Sequence, residues 1–148
     1  MKYFSLKMFY EDENAKINGI NNRPSQKIMN NIKELTNNLL IPLRASWSSF
    51  CRKNKLGSPE WEIIAGYRCD EMNKFYEDKK SSSHLKGLAA DFKLKNEEYE
   101  LFLSFAENFL KSENINFDEL IWEKKEHCIH LAIKNNEGKQ RFHIKIKN

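Results

Sequence analysis

The chain has 148 residues, of which 40% are hydrophobic and 12% aromatic, a composition that favours a folded domain and excludes a disordered segment. Its net charge of +4 is mild, and basic and acidic residues are interspersed, so a solvated surface is the simplest interpretation. The three cysteines, Cys51, Cys69 and Cys128, form no C-x-x-C pair, which argues against a disulfide framework and favours reduced thiols.

No apolar run approaches the length of a membrane span, and the first four residues lack the charged-then-apolar layout of a signal peptide. No repeat, low-complexity segment or linker divides the chain. We therefore expect one domain over residues 1–148, monomeric, synthesised in the cytoplasm and without a membrane span.

The N-terminal half predicts one long helix. Residues 1–24 look irregular, and Ser25 is a suitable N-cap after Pro24. Apolar residues then recur every three to four positions, as on one face of a helix: Ile28, Met29, Ile32, Leu35, Leu39, Leu43, Trp47 and Phe50. Because Pro42 lies inside this pattern, we expect a kink there or two abutting helices.

The middle of the chain predicts a strand at Trp61 to Tyr67, with Ile63 and Ile64 buried, then a short helix from Cys69 to Asp78. A polar loop, Lys79 to Ser83, follows, and Ala89 to Leu94 forms the next strand. The segment from Asn96 to Ser112 is predicted to be helical. Its core face consists of Tyr99, Phe102, Phe105, Ala106 and Phe109.

The last third alternates apolar and polar residues in three strands, Glu119 to Glu123, Cys128 to Ile133 and Gln140 to Ile146, which predicts a β-meander. Together the elements predict an α+β fold: a small antiparallel sheet with flanking helices.

A histidine and an aspartate lie seven residues apart in the segment Ser81 to Phe92. The three serines at its start and Gly87 argue against a helix. A loop that doubles back into a short strand would bring the imidazole of His84 and the carboxylate of Asp91 together. Both groups are zinc ligands, and three protein ligands plus water make a catalytic zinc site.

The pattern Ser82-x-His84-x-x-Gly87-x-Ala89-x-Asp91 resembles the metal-binding motif of peptidase family M15. This family comprises the zinc D-Ala-D-Ala carboxypeptidases and related cell-wall endopeptidases. Further landmarks occur in the same order: Gly66-Tyr67-Arg68, Asn73, the segment Phe117 to Glu123, and Ile129-His130-Leu131. The resemblance is closest to the short, phage- and bacteria-associated subfamily, covers Phe4 to about Ile133, and implies the D-Ala-D-Ala-peptidase (hedgehog-like) fold.

His130 is the predicted third ligand. Strand alternation puts Ile129, Leu131 and Ile133 on one face and His130 on the other, where it would face a cleft or solvent. Together with the His84 and Asp91 motif, this placement predicts one Zn²⁺ per chain, held by His84, Asp91 and His130.

Two residues compete for the role of general base. A four-residue turn from Lys124 to His127 would pair Glu123 with Cys128 and place Glu123 diagonally beside His130, about 7–8 Å away between backbones. A three-residue turn would put Glu123 on the other face. Many relatives carry the catalytic acid or histidine three positions before the last ligand, here His127, whereas the short subfamily carries a glutamate that matches Glu123. We favour Glu123 and keep His127 as the alternative.

The resemblance implies that Arg68 binds the substrate and the developing oxyanion, and that Ser82 contacts the substrate or supports a ligand. Asn73 and Tyr67 are interpreted as structural. Relatives usually have an aromatic residue at the position of Cys128, so a thiol on the face of His130 could perturb the site or bind metal.

The function implied by the resemblance is hydrolysis of a peptide in bacterial peptidoglycan by a zinc-activated water. The bond is either the terminal D-Ala-D-Ala bond, as in a carboxypeptidase, or the L-Ala-D-Glu bond, as in an endopeptidase. With no second arginine near the motifs, and only Lys79 and Lys86 nearby, we favour the endopeptidase. A protein without a leader would reach the wall after release, for example from a phage-infected cell, as an endolysin does.

Two other functions remain open. One is a non-catalytic zinc domain that binds the cell wall or a protein. The other, a nucleic-acid-binding domain, ranks last because the aromatics fall at helix-core spacing rather than among exposed basic residues.

Overall fold

The apolar stripe after Pro24 forms a long helical segment in the computed structural model, which describes residues 1–76 and 82–148. The segment consists of α2 (Gln26–Leu35), a π-helical turn (Thr36–Leu40) and α3 (Ile41–Lys53), and Ser25 Oγ caps α2 by accepting from the Ile28 N–H. Pro42 lacks the N–H that would continue the α-helical ladder. The predicted interruption at Pro42 therefore takes the form of a π turn just before it.

The other helices are short, apart from α5. A 3₁₀ helix at Leu6–Phe9 and α1 (Glu13–Ile17) precede α2, α4 spans Asp70–Phe75, and a second 3₁₀ helix spans Ser83–Lys86. The longest helix of the second half is α5 (Tyr99–Ser112). No helix within the described ranges has the length and apolar character needed to cross a membrane.

Five strands form one sheet in the order β1-β2-β4-β3-β5, with bounds β1 Trp61–Ala65, β2 Ala89–Leu94, β3 Glu119–Glu123, β4 Cys128–Ala132 and β5 His143–Lys147. The first four pair antiparallel, while β5 pairs parallel with β3. The predicted α+β fold class is confirmed, and the sheet is mixed. The predicted β-meander is wrong in its last step, because the chain crosses β3 after leaving β4 and β5 pairs with the far side of β3.

Helices cover one face of the sheet. The side chains of Phe92, Leu120, Ile129 and Leu131 are fully buried there and belong to the same core cluster as Trp47 of α3 and Phe102 of α5. The predicted core face of α5 is confirmed: Tyr99, Phe102 and Ala106 are buried, and Phe105 and Phe109 pack against the same cluster. The core thus leaves the second face of the sheet available for polar groups.

That second face, here named the His130 face, is the one onto which Asp91, Glu123 and His130 project. Ile64 also lies on this side and is 45% exposed, so its predicted burial is wrong: β1 is partly buried on the side of Ile63 and exposed on the other. The helix predicted at 69–78 ends at Phe75 in the structure. Residues 77–81, which include the last two positions of that prediction and most of the predicted polar loop, lie outside the described residues.

An ion pair between the buried Asp118 and the exposed Arg141 explains why β5 joins β3. The Asp118 side chain is 0% exposed, and its oxygens accept from Arg141 Nε and Nη2 at 2.7 and 2.8 Å. The Asp118 carbonyl accepts from the His143 N–H at 2.8 Å. Asp118 immediately precedes β3 and His143 begins β5, so these contacts hold the two strands side by side.

We expect Asp118→Asn to lower the free energy of unfolding by about 2 kcal/mol, because a charged acceptor is lost beside Arg141. Burial raises the pKa of Asp118, but the hydrogen bonds and charge of Arg141 outweigh it and lower that pKa below its usual value. The Asp118 carboxylate therefore contributes its full share to the free energy of unfolding above its unfolded pKa of about 4. This share is lost as pH falls through the pKa of Asp118 in the folded protein. The difference between the two proteins, measured by urea unfolding, should shrink on acidification.

Glu137→Gln is the matched control. Its carboxylate lies 3.6 Å from Lys139 Nζ, and both side chains are mostly exposed, so the loss should be below about 1 kcal/mol. If Asp118→Asn and Glu137→Gln lower the free energy of unfolding equally, the Asp118 pair does not hold β5.

Candidate metal centre

His84, Asp91 and His130 converge on the His130 face. Asp91 of β2 lies directly opposite His130 of β4, and Asp91 Oδ1 is 2.7 Å from His130 Nδ1. Asp91 Oδ2 is 3.3 Å from His84 Nε2. One ligand atom from each residue lies within 4.8 Å of the other two. The three predicted ligands thus meet at one point.

A tight turn places His84. The predicted loop contains the 3₁₀ helix Ser83–Lys86, in which Ser82 Oγ accepts from the His84 N–H at 3.3 Å. Gly87 ends the turn with a φ of +70°, and a Cβ there would lie 2.9 Å from the Ile32 side chain. Ser82, predicted to contact substrate or to support a ligand, caps the turn that carries His84.

The main chain of Gly66 orients the His84 ring. Its carbonyl oxygen lies 2.6 Å from His84 Nδ1, and a carbonyl only accepts, so Nδ1 carries the proton and Nε2 presents a lone pair towards Asp91. Gly66 itself packs against the 3₁₀ helix at the N-terminus. A Cβ at this position would lie 2.4 Å from the Phe9 carbonyl oxygen, so the close approach requires glycine.

Glu119 is a site residue that the sequence interpretation missed. Its Oε1 lies 3.8 Å from His130 Nε2, on the side of the ring opposite Asp91. Glu119 and Glu123 are the two diagonal neighbours of His130 on β3, because His130 pairs with Ile121. The two-residue period that selected Glu123 also selects Glu119, and it could have been found by the same argument.

Contacts within the cluster shift the pKa values of Asp91 and His130. Burial alone would raise the pKa of Asp91, but the two histidines lower it well below its usual value. Burial alone would lower the pKa of His130, but the hydrogen bond and charge of Asp91, followed by the charges of Glu119 and Glu123, raise it. A set of two imidazoles and one carboxylate matches the three protein ligands of catalytic zinc sites, so the residues fit this ion.

The hairpin register places the two candidate bases differently. Glu123 pairs with Cys128 and Ile121 with His130, which confirms the four-residue turn and puts Glu123 on the His130 face. His127 lies in the turn with a φ of +51°. Its carbonyl accepts from Tyr99 Oη at 2.7 Å, and the residue lines a cavity at the end of the sheet, away from the cluster.

The Cys128 thiol contacts the favoured base. Its Sγ donates to Glu123 Oε2 at 3.4 Å. Burial, together with the charges of Asp91 and Glu123, raises the pKa of Cys128 far above its usual value. The thiol therefore stays protonated and orients the Glu123 carboxylate.

Arg68 is tied to the site through its main chain, whose N–H donates to the His84 carbonyl at 3.1 Å. Its guanidinium carbon lies 4.6 Å from the centre of the Tyr76 ring. Lys86, one of the two lysines considered as carboxylate ligands, donates to the Asn136 carbonyl at 2.9 Å. The other, Lys79, lies outside the described residues.

Comparison with known proteins supplies the family. No curated protein matches the chain. The sequence profile of the family described as Peptidase M15 matches residues 2–132, a span that includes every strand except β5 and all three residues of the cluster. This match supports a metallopeptidase, and the chain belongs to the peptidase M15 family.

Proposed function

We propose that the protein is a zinc-dependent peptidase that hydrolyses a bond in the stem peptide of bacterial peptidoglycan. The observation that carries the proposal is the convergence of His84, Asp91 and His130 in a chain of the peptidase M15 family. The cluster supports a metal-dependent reaction, and the family supports a peptide as substrate.

His84 through Nε2, Asp91 through its carboxylate and His130 through Nδ1 would hold the ion. Bound zinc supplies Lewis acidity and lowers the pKa of water to about 7, so that a nucleophile exists at neutral pH. Gly66 keeps the His84 lone pair free by accepting from Nδ1. Glu119 lies beside Nε2 of His130 and favours the orientation in which Nδ1 faces Asp91.

Glu123 is the proposed general base. One of its oxygens, Oε2, accepts from the Cys128 thiol, so Oε1 takes the proton of the attacking water and passes it to the leaving amine. Its charge also contributes to the raised pKa of His130, which is consistent with a carboxylate close to the cluster. His127 is the alternative base and would have to turn away from the cavity that it lines.

We infer cleavage within the stem peptide rather than removal of its last residue. A carboxypeptidase must bind a terminal carboxylate close to the scissile bond, which takes a cation besides Arg68. The expectation that no second arginine lies near the motifs is wrong, because Arg141 Nη2 lies 3.7 Å from Glu119 Oε1. Within the described residues near the cluster, however, Lys86 is engaged by Asn136, Arg141 by Asp118 and Lys145 by Glu119 at 3.8 Å. The arrangement therefore favours an endopeptidase.

The test is digestion of muropeptides with and without the terminal D-Ala, followed by mass spectrometry of the products. Zinc-loaded protein should cleave within the stem peptide, and protein treated with 1,10-phenanthroline should not. Release of free D-alanine as the sole product would overturn the endopeptidase inference. If zinc-loaded protein cleaves no muropeptide, a non-catalytic zinc domain that binds the cell wall is the better description.

For Arg68 we expect Arg68→Lys to lower kcat by about 10²–10³-fold, the usual cost of losing an oxyanion donor. Lysine keeps the charge but loses the planar fork and the contact of the guanidinium with Tyr76. Steady-state kinetics on a muropeptide would measure the effect, with Arg52→Lys on the exposed side of α3 as the control. A rise in KM with kcat unchanged would show that Arg68 binds substrate without stabilising the transition state.

A further inference from the structure

A cavity of about 830 Å³ lies at the end of the sheet, beyond the cluster. The ends of β2 and of the β3–β4 hairpin form part of its wall, through Leu94, Lys95 and His127. Its lining combines aromatic side chains (Tyr3, Phe4, Trp61 and Tyr99) with charged ones (Arg44, Glu60, Glu62, Lys93, Lys95 and Glu97). A cavity of this size that joins apolar surface to polar groups able to orient a ligand is typical of ligand sites.

Arg44 of α3 is buried, unlike the other charged residues that line this cavity. Its side chain lines the cavity, and the residue is only 7% exposed. The guanidinium donates through Nη1 to Ser48 Oγ, and its carbon lies 4.6 Å from the centre of the Tyr3 ring. An arginine stays protonated in proteins and has five N–H donors, so most of this donor capacity remains for a ligand.

The charge of Arg44 has no partner of its own in the described part of the chain. Across residues 1–76 and 82–148, no carboxylate forms an ion pair with it within 4.0 Å. The carboxylate that influences Arg44 most, Glu60, is held by Lys95 at 2.9 Å. A buried cation without a counter-ion is costly, and an anionic ligand would offset that cost.

The His130 face connects the cavity to the cluster. Glu62 and Lys93 pair across β1 and β2 and line the cavity, and Lys93 is two residues from Asp91 on the same face. Lys95 lies four residues beyond Asp91 along the chain, which corresponds to about 13 Å of extended strand. A peptide lying along this face could thus reach both places.

We propose that this cavity is a second binding site, in which Arg44 binds a carboxylate of the peptide substrate three to four residues from the bond that is cut. The proposal rests on the proposed function for the nature of the peptide, because stem peptides carry free carboxylates on their acidic residues. The aromatic walls would cover the aliphatic part of the bound residue, and the Arg44 guanidinium would bind its carboxylate.

The test compares two probes: a stem pentapeptide with its side carboxylates free, and the same pentapeptide with them converted to carboxamides. Binding to the full-length, zinc-loaded Glu123→Gln protein, which should hydrolyse them about 10²–10⁴-fold more slowly, is measured by isothermal titration calorimetry. Introducing Arg44→Met should weaken binding of the acidic peptide about 10–100-fold, the usual worth of a charge-assisted hydrogen bond, and leave the amidated peptide unchanged. Arg52→Met, on the same helix but exposed, should change neither.

A second variant keeps the test informative if methionine disturbs folding. Arg44→Lys retains the charge and should bind the acidic peptide with intermediate affinity. The indole N–H of Trp61 is buried at the cavity and has no hydrogen-bond partner among the described residues. Its signal should shift in NMR spectra on addition of the acidic peptide, while that of Trp47 in the core should not.

Equal weakening of both peptides by Arg44→Met would make Arg44 a packing residue and overturn the proposal, as would failure of the acidic peptide to bind. If zinc-loaded protein cleaves muropeptides but Arg44→Met changes the affinity for the two peptides equally, the second site is wrong and the proposed function is retained. If no muropeptide is cleaved while binding of the acidic peptide depends on Arg44, the proposed function is wrong and the second site is retained.

Discussion

Alanine at Asp91 should abolish both zinc retention and hydrolysis, because this carboxylate contacts both imidazoles of the cluster. His84→Ala and His130→Ala should do the same. Each removes a direct ligand, so each loss of affinity should exceed the roughly 10–100-fold cost of removing an outer partner of a ligand. Native mass spectrometry should find one zinc per chain in the unaltered protein and none in the three variants.

His143→Ala is the matched control. This histidine begins β5, is exposed and lies outside the cluster, so its removal should leave one zinc bound and activity intact. Stoichiometric zinc in the His84→Ala, Asp91→Ala and His130→Ala proteins alike would show that the ligand assignment is wrong.

Glu123→Gln should keep its zinc and lose about 10²–10⁴-fold in kcat, the usual cost of removing a general base. Glutamine preserves the size of the side chain and can still accept from the Cys128 thiol, so the change is confined to proton transfer. Zinc content and kcat on a muropeptide should be measured on the same preparation, so that loss of metal is distinguished from loss of the base.

His127→Ala serves as the comparison for the base. The residue lies at the turn and faces the end of the sheet, so its removal should have a small effect on kcat. A dead His127→Ala protein beside an active Glu123→Gln protein would assign the proton transfer to His127 and require the turn to rearrange when substrate binds.

The sequence correctly predicted those features of the structure in which a local pattern and a spacing constrain the same residue. Strand alternation and a four-residue turn predicted that Glu123 and His130 share a face, and the register confirms it. The interruption at Pro42 followed from a missing N–H, and the core face of α5 followed from its periodicity. In each case short-range covalent geometry determines the outcome.

The features that the sequence did not predict depend on contacts between distant parts of the chain. The parallel position of β5 relies on the pairing of Arg141 with the buried Asp118, and neither residue carries a local signal of that pairing. The tautomer of His84 is set by the Gly66 carbonyl. In the sequence, Arg44 resembles any other polar residue of a helix. The cavity forms because the N-terminal segment and β1 pack around this residue.

The placement of the cluster on β2 and β4 has a consequence for thermodynamic linkage. Asp91 and His130 are 39 residues apart in sequence and meet only when the two central strands pair, so an unfolded chain cannot present all three side chains to one ion. An ion that binds the native state alone stabilises it by about 2.7 kcal/mol when its free concentration is about 100 times Kd. The melting temperature of this protein should then depend on the concentration of free zinc, and a chelator would weaken the centre of the sheet rather than its edges.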